Sequence, residues 1–220
     1  MDVKKTLWST VIGLCLWSSV SQGNEQIFSS ISEADQRAVE VLVEQDATLL
    51  EARDSLGNTP LLAAAQMNNV PLVKLLLAEG AQVNALNYKQ RDILNIAVSV
   101  KNPEIARQAI QAGADPTLIT SVYEGSALIY ATHQAELVTM QLLIAAGAPL
   151  DRVNNLGWTA LLEAVILGDG SDKYVSAVQI LLSAGADQDI ADKKGRTPLD
   201  HARAKGYHSL AEVLDAAGGA

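Results

Sequence analysis

The sequence is poor in cysteine, in aromatic side chains and in positive charge. One cysteine, Cys15, occurs in 220 residues, which excludes a disulfide within the chain and any multi-cysteine metal site. Phe, Trp and Tyr together make up 4% of the residues, although 49% are apolar. The apolar content therefore comes from Ala, Leu, Val and Ile, an Ala- and Leu-rich composition that suits helices. Sixteen Lys and Arg stand against twenty-five Asp and Glu, for a net charge of −9. That balance argues against general nucleic-acid binding, which needs a basic footprint. Yet the apolar fraction is too high and the charge too low for a disordered chain. The length allows one domain of good size or two small ones, with a core that needs no metal or disulfide.

The N-terminus, MDVKKTLWSTVIGLCLWSSVSQGNEQ, has a layout of its own. Lys4 and Lys5 form a short basic start, Leu7 to Leu16 is mostly apolar, and small residues follow. Ser19 with Ser21, or Ser21 with Gly23, fit the −3 and −1 places of a cleavage site. This is the pattern of a secretory signal peptide over residues 1–23. The rival reading, a membrane anchor, is disfavoured because the apolar run is too short for a bilayer core of roughly 30 Å. A lipoprotein reading of Cys15 is weak, since Leu14 precedes it where that signal wants a small residue. Cleavage would remove the only Cys and two of the three Trp, and would bring the net charge to −10. No later segment is apolar enough for a membrane span. The mature chain is thus expected outside the cytoplasm, most simply in a bacterial periplasm.

The remainder is built from one recurring unit. Gly57-Asn58-Thr59-Pro60-Leu61 returns as Gly157-Trp158-Thr159-Ala160-Leu161 and as Gly195-Arg196-Thr197-Pro198-Leu199, with a degenerate copy at Ser126-Ala127-Leu128. A Gly-Ala pair follows each leucine-rich run at Gly80, Gly113, Gly147 and Gly185, and a frayed copy sits at Gly218. These glycines are 33, 34, 38 and 33 residues apart, a period that marks a repeat array. Within a unit the chemistry is legible. Thr59 can cap a short helix over Leu61–Gln66, with Pro60 in the first turn where its missing N–H costs nothing. Asn68 and Asn69 turn the chain. Leu72, Val73, Leu75, Leu76 and Leu77 give the second helix an apolar face, and Gly80 ends it in the left-handed conformation. One such unit cannot bury its own apolar face, whereas stacked units can.

On Thr59-Pro60-Leu61, Ala63-Ala64, Leu75-Leu76-Leu77, Gly80-Ala81 and Asn84, with their counterparts one period on, the chain resembles the ankyrin-repeat family. The resemblance implies an all-α ankyrin-repeat solenoid: stacked helix–turn–helix units joined by β-hairpin-like loops. An N-terminal capping repeat spans 24–56, with Ser32 as N-cap and Val39, Leu42 and Val43 on one face of its second helix. The repeats proper occupy 57–220, as 57–89, 90–123, 124–156, 157–194 and a C-terminal cap, 195–220. Unit 90–123 departs most, since Gln90, Asp92 and Ile93 replace Gly, Thr and Pro, and a less regular turn is expected there. Unit 157–194 carries five extra residues, placed at Gly168–Tyr174.

Catalytic motifs are sparse. His133, His201 and His208 form no His-x-x-x-His zinc pair, and neither a Gly-x-Ser-x-Gly elbow nor a phosphate loop occurs. Nothing in the spacing of Ser, His and Asp picks out a triad, so the three His read as structural or surface residues. Asp169-Gly170-Ser171-Asp172 lacks the ligands of a calcium loop and reads as a solvated loop that could touch a partner. No enzyme activity, cofactor or metal is expected.

The signal that remains is positional. The resemblance implies that hairpin tips, and the residue before each Thr-Pro-Leu, touch a protein partner. Carried over one by one, these are Ser55, Leu56 and Asn58; Tyr88, Lys89 and Arg91; Val122, Tyr123 and Gly125; Asn155, Leu156 and Trp158; and Lys193, Lys194 and Arg196. None is acidic, five are basic and three are Tyr or Trp. A basic–aromatic stripe on an acidic molecule fits a protein partner with an acidic or mixed apolar patch. The alternative is that Tyr88, Tyr123 and Trp158 merely pack between hairpins. The expectation is therefore a non-enzymatic, monomeric, exported module that binds a protein partner through hairpin tips and inner helices, without nucleic acid or membrane span. Exported proteins of the family include immunity proteins that mask delivered toxins such as lipases, and helpers of periplasmic catalases. A secreted effector that binds a host protein is a further alternative, and a pocket enzyme is the least favoured.

Overall fold

The computed structural model describes residues 22–121 and 123–218. Their regular secondary structure is all helical, without a β-strand among the described residues. The chain divides into two compact units, Met1–Gln82 and Val83–Ala220.

In the first unit α1 is helical over 22–32, followed by α2 (Gln36–Gln45), a 3-10 turn (Ala47–Glu51), α3 (Pro60–Gln66) and α4 (Val70–Ala78). Ile27, Ile31, Val39, Leu61, Leu62, Leu72 and Leu76 fill its core. Gln22 and Gly23 are already helical, and the rest of the expected signal peptide lies outside the described residues. Ser32 does not cap α2. It lies in the last turn of α1, where its hydroxyl donates to the Phe28 carbonyl. Ala34 takes a left-handed φ of 57°, and this turn brings Asp35 to the entrance of α2, where its carboxylate accepts from Ala38 N at 2.9 Å.

The second unit contains α5 (Ile93–Ser99), α6 (Pro103–Gln111), α7 (Ala127–His133), α8 (Leu137–Ala145), α9 (Ala160–Ile166), α10 (Asp172–Ser183), α11 (Pro198–Ala204) and α12 (His208–Gly218). The short helices α5, α7, α9 and α11 pack on one another in sequence order, and α6, α8, α10 and α12 do the same. Two layers result, and Leu94, Ile96, Leu128, Met140, Leu161, Val178 and Leu210 meet in the core between them.

Each short helix begins the same way even where the sequence motif degrades. Thr59, Thr159 and Thr197 accept from the backbone N–H three residues on. Asp92 does so toward Asn95 N at 2.8 Å, and Ser126 toward Ile129 N at 3.5 Å. The Gly-Ala pairs also have one structural job. Gly80 has a φ of +89°, which lets Ala81 N bond back to Leu76 O at 3.0 Å and turns the buried Ala81 under the helix end. Ala114, Ala148 and Ala186 repeat this closure, a left-handed helix ending that glycine adopts without strain.

The extra residues of unit 157–194 are not all loop. They lengthen α10 to 12 residues, against 9 in α4, α6 and α8. The turn before α10 is also tied down. Tyr174 OH donates to His133 O at 2.8 Å, and Tyr207 OH donates to Gly168 O at 3.0 Å. Burial pushes the Tyr174 phenol up, and its hydrogen bond to a carbonyl favours the same protonated form.

Candidate functional site: the finger edge

Five turns, here called fingers, share one geometry: Asp54–Gly57, Asn87–Gln90, Ser121–Glu124, Asn154–Gly157 and Asp192–Gly195. The first side chain of each accepts from the backbone N–H groups two and four residues on. Asp54 Oδ1 takes Leu56 N and Asn58 N, both at 2.8 Å. Asn87 takes Lys89 N and Arg91 N, Ser121 takes Tyr123 N and Gly125 N, and Asn154 takes Leu156 N and Trp158 N. Asp192 takes Lys194 N and Arg196 N. These are Asx and Ser turns, in which a short polar side chain stands in for backbone. The fourth residue is left-handed in every finger: Gly57, Gln90, Glu124, Gly157 and Gly195. The turn at Asn87–Gln90, expected to be irregular, is therefore built like the others, with Gln90 held at a φ of +56° and Gln90 N bonded to Asn87 O at 2.9 Å.

At three fingers the group beneath matches the choice of Asp or Asn at the first position. Asp54 Oδ2 accepts from the Asn58 side-chain amide. Asp192 Oδ2 lies 2.9 Å from His201 Nε2. Asn154 instead faces the Glu163 carboxylate, and its Nδ2 donates to Glu163 Oε2 at 3.4 Å. A carboxylate there would meet another carboxylate. Glu163 Oε1 is also 3.4 Å from His133 Nδ1. Burial pushes the Glu163 carboxyl up, against the lowering effect of His133 and Asn154. Asp92 is likewise pushed up by burial; Asn95 donates to it and to Thr120. The Asp192 carboxylate is held well below its ordinary range, first by the Arg196 N–H and then by His201, Lys194 and the Arg196 side chain.

Neighbouring fingers of the second unit are laced together. Asn155 N donates to Tyr123 O at 2.9 Å, Arg152 Nε donates to Glu124 O at 3.3 Å, and Lys193 Nζ donates to Asn155 O. The Lys193 stem lies over Gly157, where an added Cβ would come within 2.7 Å of Lys193 Cγ.

The expected contact residues divide accordingly. Leu56, alone on its finger in the first unit, is exposed. In the second unit Tyr88 is 74% exposed, Tyr123 57% and Leu156 41%. Lys89 and Lys194 face solvent. Asn58 is a correction: it is 0% exposed, because its amide is consumed by Asp54 and Gln66 beneath the finger. Gly125 is buried too, and Val122 lies outside the described residues. Trp158 is half-buried. The basic stripe is also weaker than its composition implied. Arg196 pairs with Asp192 at 3.2 Å, Arg91 lies 5.5 Å from the centre of the Tyr130 ring, and Lys193 is spent on Asn155. Glu124 adds an exposed acid at a fingertip.

Three exposed apolar residues on the same edge escaped the sequence reading: Leu86, Ile119 and Val153. Their signal was present, since they recur 33 and 34 residues apart just ahead of the fingers. His201 and His133 are placed as structural partners of Asp192 and Glu163. Among the described residues no group of three or more His, Cys, Asp or Glu could hold a metal ion, and no helix is long and apolar enough to cross a membrane.

Paired helices that repeat every 33 to 38 residues, each pair preceded by a capped finger, define a repeat protein of the helix–turn–helix class. The family model for ankyrin repeats (3 copies) matches over residues 27–120, 94–192 and 128–218, and the chain belongs to the ankyrin-repeat family. A curated relative described as an ankyrin repeat protein, YahD of Escherichia coli (strain K12), is 33% identical over 147 residues, covering 66% of this chain and 73% of that protein. A solved ankyrin repeat domain from Acinetobacter baumannii AYE is 40% identical with a TM-score of 0.83, covering 87% of this chain and 97% of that one. A chain in the solved structure of a Bdellovibrio bacteriovorus predatory endopeptidase in complex with an immunity protein is 26% identical, with a TM-score of 0.73 over 87% of this chain and 97% of that one. Ankyrin repeats mediate protein–protein interaction, and no catalytic family is indicated.

Proposed function

We propose that this chain is an exported, non-enzymatic binding protein that engages a partner protein in the periplasm through the finger edge of its second unit. The observation that carries this reading is the exposure of a large apolar side chain on each of three successive fingers: Tyr88 at the second position of its turn, and Tyr123 and Leu156 at the third position of theirs. Exposed apolar residues scattered singly are ordinary, but a contiguous row marks an interaction surface. Export rests on the basic start, short apolar run and small-residue boundary of residues 1–23. An immunity role, in which the chain masks a toxic enzyme delivered between cells, is favoured over the helper and host-directed roles by the likeness to a chain in the endopeptidase–immunity protein structure.

The test is expression of the whole gene product with a C-terminal tag, fractionation, and N-terminal sequencing. The tagged mature chain and its Tyr123→Ala, Leu156→Ala double variant then serve as baits for periplasmic extract and for toxins of competing strains. The expected result is a periplasmic chain beginning near residue 22 or 24 that retains one partner, with loss of that partner in the variant. A chain that stays in the cytoplasm at full length contradicts export. Equal retention by both baits contradicts the finger edge.

A further inference from the structure

The finger edge of the second unit has a definite chemical order, and this order specifies the surface that fits it. Its middle is apolar: Ile119 lies just ahead of one finger and Tyr123 on it, Val153 lies just ahead of the next and Leu156 on it, and all four are exposed. Those two fingers are joined by the Asn155 N to Tyr123 O bond and by Arg152 on Glu124 O. Tyr123 and Leu156 are thus presented on linked backbone, which reduces the ordering cost of binding. The two ends carry cations. Lys89 projects from the Asn87–Gln90 finger, and Lys194 from the Asp192–Gly195 finger. Glu124, the one acid exposed on the central fingertips, sits beside the apolar middle.

Resting on the reading of the finger edge as a binding surface, we infer that it docks a protein segment with an apolar centre flanked by carboxylates, anchored on Tyr123 and Leu156 and fixed in register by Lys89 and Lys194. An apolar centre with a charged rim is the usual anatomy of a specific interface. Charge complementarity argues for acidic flanks and against a second copy of this chain, because the edges of two copies would bring the lysines of one against those of the other. Lys193 and Asn155 act through the anchors and not on the partner: Lys193 holds the Asn155 carbonyl, and Asn155 holds the Tyr123 carbonyl. They are positioning residues.

The experiment is panning of a phage-displayed library of random dodecapeptides on the full chain, immobilised through a C-terminal tag. Selected peptides are then measured by fluorescence anisotropy as synthetic probes. The expected sequences combine aromatic or aliphatic residues with Asp or Glu at the ends. The Tyr123→Ala, Leu156→Ala variant, whose altered side chains are exposed, is expected to weaken them roughly tenfold or more. Lys194→Glu is expected to weaken them about threefold, an effect that fades in high salt. Lys193→Met is expected to weaken binding while raising amide exchange at Asn155, which a direct contact role would not do. Circular dichroism identifies any variant that loses its helices, and Val138→Ser on α8 serves as a surface control. Peptides with no acidic bias, or peptides sensitive to Val138→Ser and indifferent to Tyr123 and Leu156, overturn the inference while leaving a binding function intact. No enrichment over an unrelated immobilised protein overturns both.

Discussion

Asn154→Asp adds no volume and keeps both acceptor bonds of the finger, to Leu156 N and Trp158 N at 3.0 Å. Only the contact beneath changes, from an amide donating to Glu163 Oε2 at 3.4 Å to two carboxylates at that distance. The lost hydrogen bond is worth about 1 kcal/mol. The Coulomb repulsion at that separation is roughly 5 kcal/mol with an effective dielectric constant of about 20. The protein has an escape, because the Glu163 carboxyl is already pushed up by burial and can take a proton. Retaining that proton costs about 1.4 kcal/mol per pH unit above its pKa. A net loss of about 2–4 kcal/mol at neutral pH follows, which for a chain of this size lowers the melting temperature by about 5–15 °C. The sign with pH is fixed. A carboxyl raised on folding favours the native state at low pH, and that contribution is lost as pH rises through its folded value. The Asp variant's deficit should therefore shrink as pH is lowered from neutral toward the ordinary carboxylate range. Asn154→Ala, which loses the finger bonds but adds no charge, should show a deficit of about 2 kcal/mol that varies less with pH. The assay is thermal melting by circular dichroism at a series of pH values. Equal melting of Asn154→Asp and wild type at neutral pH, or a deficit that does not narrow on acidification, would refute the matching of finger residue to the group beneath it.

Other perturbations follow from the same geometry. Gln90→Gly and Glu124→Gly relieve left-handed backbone at φ values of +56° and +58° and should each raise stability by about 0.5–1 kcal/mol after the entropy cost of glycine; a lower urea midpoint would count against this. Gly168→Ala would place its Cβ 2.1 Å from Ala164 O and 2.8 Å from the Tyr174 ring. It should cost about 2–3 kcal/mol, read as a lower urea midpoint. Tyr174→Phe removes the bond to His133 O and should cost about 1 kcal/mol by the same measurement. The Asp192 carboxyl is lowered on folding, so its contribution is present above the ordinary carboxylate range and is lost as pH falls. Acid titration followed by hydrogen exchange should show the Asp192–Gly195 finger opening early, and Asp192→Asn should blunt that response.

The helices were legible because their determinants are local and repeated. Thr59, Thr159 and Thr197 announce three helix starts, and Gly80, Gly113, Gly147 and Gly185 announce four ends. The sequence was less clear where a different residue does the same work. Asp92 and Ser126 replace the capping threonine, and Gln90 and Glu124 occupy the place of the turn glycine, so those units looked less regular than they are. Ser32 looked like a cap because its type is right, but the left-handed Ala34 moves the helix start to Asp35. At the fingers, position in the repeat singled out Tyr88, Tyr123 and Leu156, and the structure leaves all three exposed. It could not reveal that Asn58 is buried by its own hydrogen bonds, that Lys193 is spent on a neighbouring finger, or that Asn154 and Glu163 belong together. The Lys193 contact runs between repeats, while those of Asn58 and Asn154 lie within nine residues along the chain, and in neither case does a motif specify the pairing.

The most direct test of the central claim is hydrogen exchange across the chain, free and bound to its captured partner. The account predicts new protection at the amides of the Asn87–Gln90, Ser121–Glu124, Asn154–Gly157 and Asp192–Gly195 fingers, with α6, α8, α10 and α12 unchanged. Protection confined to those four helices, with the fingers exchanging as in the free chain, would contradict it.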